Sequence, residues 1–414
     1  MNCELRRALR PSGLAACLYG ALLAGTLAVP WGCASAPPRA ARTDAQLKER
    51  AAEENAYLGA AYRGANKALV DRYWKALQEA EPGSLPTIHF LAMSGGGDYG
   101  AFGAGFLVGW GEALDPAHRR PNFDIVTGVS TGALLAPFAY VGTDESCRTV
   151  ETFYRNPRPD WVEERGLLFF LPSNPSFMII PKLEKALQTA ITPALVEQMA
   201  AQSRTGKQLI ISATDLDYGR QHFWSLGPVA EAAAASGDSE RLRRILLASA
   251  AIPVAFPPIE IDGSLYADGG VTANVFARLE PRTPGSFPHT LEKEHPGTPL
   301  PKIRYWVIVN NSLAQPPATV QAKWTEVLAP ALATSIRSAT IAEIRWLAAQ
   351  ADYVSATMNV DIEVRVVSIP NEWRPPVKGD FRKETMNSLA DVGRKMGADP
   401  ASWTLWTTPR NGVD

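Results

Sequence analysis

Twice in succession the chain runs from a short apolar segment through a glycine turn into a helix-like stretch, and this repeated unit limits its fold more than any other feature. Residues 88–93 are apolar and end in Ser94-Gly95-Gly96-Gly97, after which a Gly/Ala/Phe-rich helical pattern covers residues 101–114. Residues 123–128 stop abruptly at Gly128-Val129-Ser130-Thr131-Gly132, and an apolar helical stretch follows over residues 133–140. Strand, glycine turn and helix in this order are the building unit of an α/β domain. Strand patterns near residues 208–213, 305–310 and 361–369, with helical patterns near 183–201, 320–353 and 381–396, extend the alternation. Residues 281–301 read as an inserted loop.

Each turn carries chemistry. Glycines allow positive φ and close backbone approach, so the N–H groups of Gly95, Gly96 and Gly97 can converge on an anion beside a helix N-terminus. Gly95, Gly97 and Gly100 also satisfy the G-x-G-x-x-G spacing of a dinucleotide site. Against that reading, no Gly-Lys-Ser/Thr ending follows, and the next strand leads to a serine where a ribose-binding acid would stand. In the second turn, Gly128 and Gly132 flank Ser130 two residues either side, as a nucleophile elbow requires. The following helix N-terminus favours negative charge developing at that serine. A third glycine turn, Asp268-Gly269-Gly270, adds a carboxylate, although Asp-Gly pairs commonly do no more than cap a turn.

The residues before that aspartate are the most specific in the chain. Residues 246–270 contain Ala248-Ser249-Ala250-Ala251-Ile252-Pro253, then Phe256-Pro257-Pro258, then Asp268-Gly269-Gly270. The ordered set of glycine turn, G-x-S-x-G, Ala-Ser-x-Ala-x-Pro with Phe-Pro-Pro, and Asp-Gly-Gly resembles the patatin-like phospholipases over about residues 85–275. Thr214-Asp215-Leu216, Gly219 and Phe223 resemble that family's strand between elbow and aspartate. The resemblance implies a three-layer α/β/α fold with a mostly parallel central sheet. It further implies Ser130 as nucleophile, Asp268 as general base, Gly95, Gly96 and Gly97 in the oxyanion turn, and Gly100, Gly128, Gly132, Gly269 and Gly270 as motif glycines. The expected substrate is a lipid or acyl ester, cleaved without a cofactor or metal. In one place the chain departs from the pattern: many family members carry Arg or Lys soon after the three glycines, and here Asp98-Tyr99 stand there.

Composition limits the alternatives. The 414 residues are 46% hydrophobic and 20% charged with a formal net charge of −1, which gives no electrostatic footprint for nucleic acid. A Ser-Asp-His triad would need a histidine after Asp268, where only His289 and His295 stand, both in a Pro/Gly/Thr-rich stretch. His89, His118 and His222 have no zinc-ligand spacing. A third possibility is a lipoprotein that binds acyl chains with little turnover, suggested by the missing basic residue.

The N-terminus reads as an export signal, with Arg6, Arg7 and Arg10 before an apolar stretch at residues 14–29. Cys33 after Gly32 resembles a lipoprotein cleavage box, which would tether the protein to a membrane of the bacterial envelope by an acylated cysteine; cleavage after Ala36 would instead release it. The expected organisation is a signal over residues 1–33, tether and helical segment over 34–84, catalytic domain over 85–400 and tail over 401–414. Residues 166–180, and the aromatic tail around Trp403 and Trp406, could pack in the core or line an acyl pocket. Glu372 and Trp373, before the Pro375-Pro376 turn, read as a strand end.

Overall fold

The computed structural model describes residues 39–158, 160–164, 174–176, 178–277, 283–315 and 317–408. The export signal, Cys33, residues 167–171, Phe177 and the last six residues of the tail lie outside the described residues.

Helix α1 (Asp44–Glu79) is followed by β1 (Thr87–Met93), α2 (Gly100–Gly111), β2 (Ile125–Val129), α3 (Thr131–Val141) and α4 (Asp144–Arg155). Two-residue strands β3 (Glu163–Glu164) and β4 (Met178–Ile179) pair with each other. Next come α5 (Pro181–Ala190), α6 (Pro193–Arg204), β5 (Gln208–Asp215), β6 (Arg220–Ser225), α7 (Leu226–Ser236) and α8 (Glu240–Ser249). The chain continues with β7 (Ile259–Ile261), β8 (Ser264–Asp268), α9 (Phe287–Glu294), β9 (Lys302–Val309), α10 (Trp324–Met358), β10 (Ile362–Ser368), α11 (Lys383–Gly397) and β11 (Thr404–Trp406).

The main sheet has the order β11-β10-β9-β1-β2-β5-β8-β7, with β6 on the other edge of β5. Its centre is parallel, from β10 through β9, β1 and β2 to β5, and its margins are antiparallel. Alternation along the strands feeds two cores, as a sheet covered on both faces requires. Leu91, Met93, Trp306 and Ile308 pack under α2, α3 and α11, whereas Phe90, Ala92, Tyr305 and Val307 face Ile344, Leu347, Ala351 and Val354 of α10. Helices α1 and α9 join the α10 side, where they and the sheet enclose an apolar cavity of about 190 Å³. The result is the expected α/β/α arrangement with a mostly parallel sheet.

The glycines of α2 have a packing reason. A Cβ on Gly105 or Gly109 would lie within 2.1 Å of α11 backbone, and one on Gly393 or Gly397 of α11 would meet the backbone of α2 as closely as 2.1 Å. The two helices therefore pack backbone to backbone.

Three expectations change in detail. The helix anticipated over residues 183–201 is two helices, because Thr192 caps a new N-terminus and Pro193 opens it. The stretch 281–301 is not all loop: Ser286 caps α9, whose Leu291 and Phe287 pack with Val70, Tyr73 and Leu77 of α1. Trp403 belongs to the core, its ring 4.9 Å from Trp110 and 5.0 Å from Trp306, and Trp406 sits on the edge strand β11.

Candidate active site

Ser130 stands between β2 and α3 with φ 54° and ψ −124°, a left-side conformation that a side-chain-bearing residue adopts only when its surroundings enforce it. The enforcement is visible. A Cβ on Gly128 would lie 2.4 Å from Gly132 O, and one on Gly132 would lie 2.2 Å from Met93 O, so both flanking positions exclude any larger residue. The Ser130 amide donates to Ser249 Oγ at 3.0 Å, and the Ser249 hydroxyl donates to Ser212 O at 2.6 Å.

The same motif holds the aspartate. Asp268 N donates to Ala251 O at 2.8 Å, and Thr214 Oγ1 donates to Asp268 O at 2.9 Å. One face of the Ala-Ser-Ala-Ala-Ile-Pro run thus fixes the serine's backbone through Ser249 and the aspartate's backbone through Ala251. This common anchor explains why the run is so specific, and Thr214 extends it from the strand whose likeness the sequence suggested. Gly269 is needed because a Cβ there would lie 2.6 Å from Ser212 O.

The Asp268 side chain is 6% exposed. Oδ1 accepts the Gly270 amide at 2.8 Å, while Oδ2 is buried without a partner among the described residues. Burial pushes its carboxyl up to about 6, against the opposing pull of the Ser130 hydroxyl and the Gly270 amide. The Ser130 hydroxyl opposes that burial as a hydrogen-bonding group on the same carboxyl, while Oδ2 has no completed hydrogen bond among the described residues. A carboxyl raised toward neutrality by burial beside a serine on a strand-to-helix turn has the chemistry to accept a proton from it.

The glycine turn lies against this pair. A Cβ on Gly95 would be 2.9 Å from Ser130 Cβ. Gly95 differs from expectation as an oxyanion donor, because its amide already donates to Asn274 Oδ1 at 3.0 Å. No acceptor takes the Gly96 or Gly97 amide among the described residues. Gly100 opens α2 where a Cβ would clash with Thr131 Oγ1 at 2.1 Å, so it admits α2 beside α3.

Two asparagines that the sequence reading passed over hold the turn. Asn310, fully buried after β9, accepts the Gly103 amide at 3.0 Å and donates to Ser94 O at 2.8 Å, while its own amide donates to Ser94 Oγ at 2.9 Å. Asn274 donates to Thr340 Oγ1 at 2.8 Å. The amides of Asn274 and Val275 in turn donate to the Glu343 carboxylate, at 3.1 and 2.8 Å, and burial pushes that carboxyl up to about 7.

Asp98 and Tyr99, the departure from the family pattern, face a later loop. The Asp98 carboxylate accepts the Phe381 amide at 3.0 Å, and burial pushes it up to about 6. The Tyr99 ring meets Trp373 edge-on at 5.5 Å, and Trp373 Nε1 donates to Ser388 Oγ at 3.2 Å. Trp373 is therefore part of the packing over the glycine turn and does not end a strand.

The histidines are placed elsewhere. His289 lies on α9, His295 stacks on Trp74 of α1 at 4.0 Å, His222 pairs with Glu54, and His89 accepts from Trp306 Nε1 at 3.2 Å. None of them is among the hydrogen-bond partners found for Ser130 or Asp268 among the described residues.

Residues 91–279 match the family model described as patatin-like phospholipase. No curated protein sequence matches the chain. Among solved structures, VipD from Legionella pneumophila aligns over 77% of this chain and 68% of its own, at 12% identity and a TM-score of 0.35. The family match runs from the end of β1 through the glycine turn and the elbow to the aspartate turn, and it supports a lipid acyl hydrolase domain over residues 91–279.

Proposed function

We propose that the protein cleaves carboxylic esters of lipids by a Ser130–Asp268 dyad through an acyl-serine intermediate. The observation that carries this reading is the buried Oδ2 of Asp268, without a partner among the described residues, beside a serine held at positive φ on a strand-to-helix turn. Ser130 Oγ attacks the ester carbonyl carbon as its proton passes to the Asp268 carboxylate. The carbonyl π electrons move onto oxygen, and that oxyanion is met by the amides of Gly96 and Gly97. Each such donor contributes about 3 kcal/mol by comparison with oxyanion-hole deletions. The tetrahedral centre collapses, the C–O bond to the alcohol breaks, and Asp268 returns its proton to the leaving oxygen. Water then attacks the acyl-serine along the same path, releasing the fatty acid and restoring both residues.

The Asp98 finding weakens the reading of an inert acyl-binding protein. That reading rested on a missing basic residue, whereas Asp98 is occupied in tethering the loop at Phe381 and leaves the dyad alone.

A fluorophosphonate probe tests the proposal. One equivalent is expected to attach at Ser130, with a labelling rate that falls as pH drops through about 6, because the base must be ionised and Asp268 is pushed up to about 6. Folded protein that stays unlabelled at pH 8 would favour the inert reading. Labelling that is lost on replacing His289 or His295 would instead favour the triad.

The export signal and Cys33 support placing the enzyme on a membrane of the bacterial envelope through an acylated cysteine. Metabolic labelling with an alkyne fatty acid should mark the wild type and miss Cys33→Ser. Equal labelling of both, or of neither, refutes the anchor.

A further inference from the structure

Helix α10 is the described helix long and apolar enough to cross a membrane, yet most of it is not buried. Its two halves have different surroundings. Toward its C-terminus, Ile344, Leu347, Ala351 and Val354 pack beneath β9 and β10, and Val354 and Met358 meet Ile88 and Ile303 at the starts of β1 and β9. Toward its N-terminus, Thr340 and Glu343 hold Asn274, whose side chain holds the Gly95 amide. The helix therefore runs antiparallel to the central strands, and the part before Thr340 continues past the strand ends that carry Ser130.

That projecting part carries exposed apolar side chains. Val327 is 45% exposed, Leu328 47% and Leu332 51%. Between Glu326 and Glu343 the sole charged residue is Arg337, whose guanidinium donates back to Ser312 O and Gln315 Oε1. Exposed leucine and valine clustered on one helix end mark an interaction surface. From Glu326 to Thr340 the helix rises about 20 Å at 1.5 Å per residue. A bilayer's hydrocarbon core is about 30 Å thick. The free end can enter one leaflet and cannot span the core, because the remainder of the helix is committed to the fold.

We infer that the N-terminal half of α10 docks the enzyme on a phospholipid bilayer, with Val327, Leu328 and Leu332 inserted beside the mouth of the active site. This rests on the proposed lipid-ester hydrolysis, because the occupant is identified by continuity with a site that must receive lipid. A lipid leaflet also suits the exposed aliphatic side chains of Val327, Leu328 and Leu332, with Thr334, Ser335 and Ser338 as exposed hydroxyl-bearing residues beyond them. Lys323 and Glu326, just before the patch, carry opposite charges, so the attraction comes from apolar insertion more than from charge.

The test uses the full chain carrying Cys33→Ser, so that no acyl anchor contributes, and Ser130→Ala, so that no lipid is consumed. Flotation with phosphatidylcholine vesicles should recover this protein, with little change between low and high salt. Adding Val327→Glu, Leu328→Glu and Leu332→Glu should lower binding at least tenfold, since each buried aliphatic side chain contributes a large transfer term. With Ser130 restored, the triple variant should hydrolyse a monomeric short-chain ester like the wild type while losing at least tenfold on vesicles. If the triple variant fails to fold, Leu332→Ser alone is read in the same two assays. Undiminished vesicle binding by the folded variants overturns the docking surface. So does a fall in oligomer mass with vesicle binding unchanged, which would assign the patch to a second copy. Loss of short-chain hydrolysis by Ser130→Ala with vesicle binding retained supports both readings; retained hydrolysis there would sink the dyad and leave docking standing on its binding data.

Discussion

Ser130→Ala lowers kcat/KM for lipid esters by roughly 10⁴-fold or more, and Asp268→Asn by about 10³-fold to 10⁴-fold, with both proteins still folded. The serine supplies the atom that becomes acylated, so nothing else in the site replaces it. The aspartate supplies a proton acceptor, and its amide isostere keeps the shape of the side chain while removing basicity. Because the two act as one unit, the double variant should be little worse than Ser130→Ala alone. Turnover of a chromogenic ester, with circular dichroism as the check on folding, reads this directly. Activity within tenfold of wild type in either single variant is incompatible with the dyad.

Asn310→Ala has the second largest expected effect, and it acts on stability and rate together. The change removes the acceptor for the buried Gly103 amide and the donor to Ser94 O. Two buried polar groups left unsatisfied cost about 2–6 kcal/mol together. The glycine turn lies directly against this residue, since a Cβ on Gly96 would stand 2.0 Å from Asn310 O. Loosening it should displace the Gly96 and Gly97 amides and reduce kcat at least tenfold beyond any loss of folded protein. Asn310→Asp keeps the acceptor for Gly103 and loses the donor to Ser94, so it should fall between wild type and Asn310→Ala. Thermal unfolding paired with active-site titration separates the two effects. An Asn310→Ala protein with unchanged melting and unchanged kcat would show that the turn is held by other contacts.

The residues proposed to perform chemistry were legible because their motifs are local. A serine between two glycines at a strand end, or an aspartate before two glycines, carries its geometry in a few consecutive residues. The central strands were legible for the same reason, since their apolar runs are continuous. What holds those residues in place was not legible. Asn310 and Asn274 each join segments far apart in sequence, and an amide has no spacing that announces its partner. Asp98 could be seen as a departure from a pattern, but its bond to Phe381 depends on a loop that returns much later in the chain. Gly95 shows the limit of a motif most plainly: its place in the turn was readable, while the occupation of its amide by Asn274 was not. The break at Thr192-Pro193 and the Ser286 cap of α9 did have local signals, which the apolar pattern on one side and the Pro/Gly content on the other outweighed.

The buried oxygen of Asp268 also bears on how the enzyme tolerates heat. A carboxyl raised by burial contributes stability below its unfolded value, near 3.9, and loses it as pH rises through about 6, the range in which hydrolysis switches on. Asp98, also raised to about 6, and Glu343, raised to about 7, act in the same direction. Catalytic competence and thermal endurance are therefore set against each other across a single pH interval. An inactive protein with a neutral side chain at position 268 should outlast the working enzyme on heating at pH 8, and lose that advantage near pH 4.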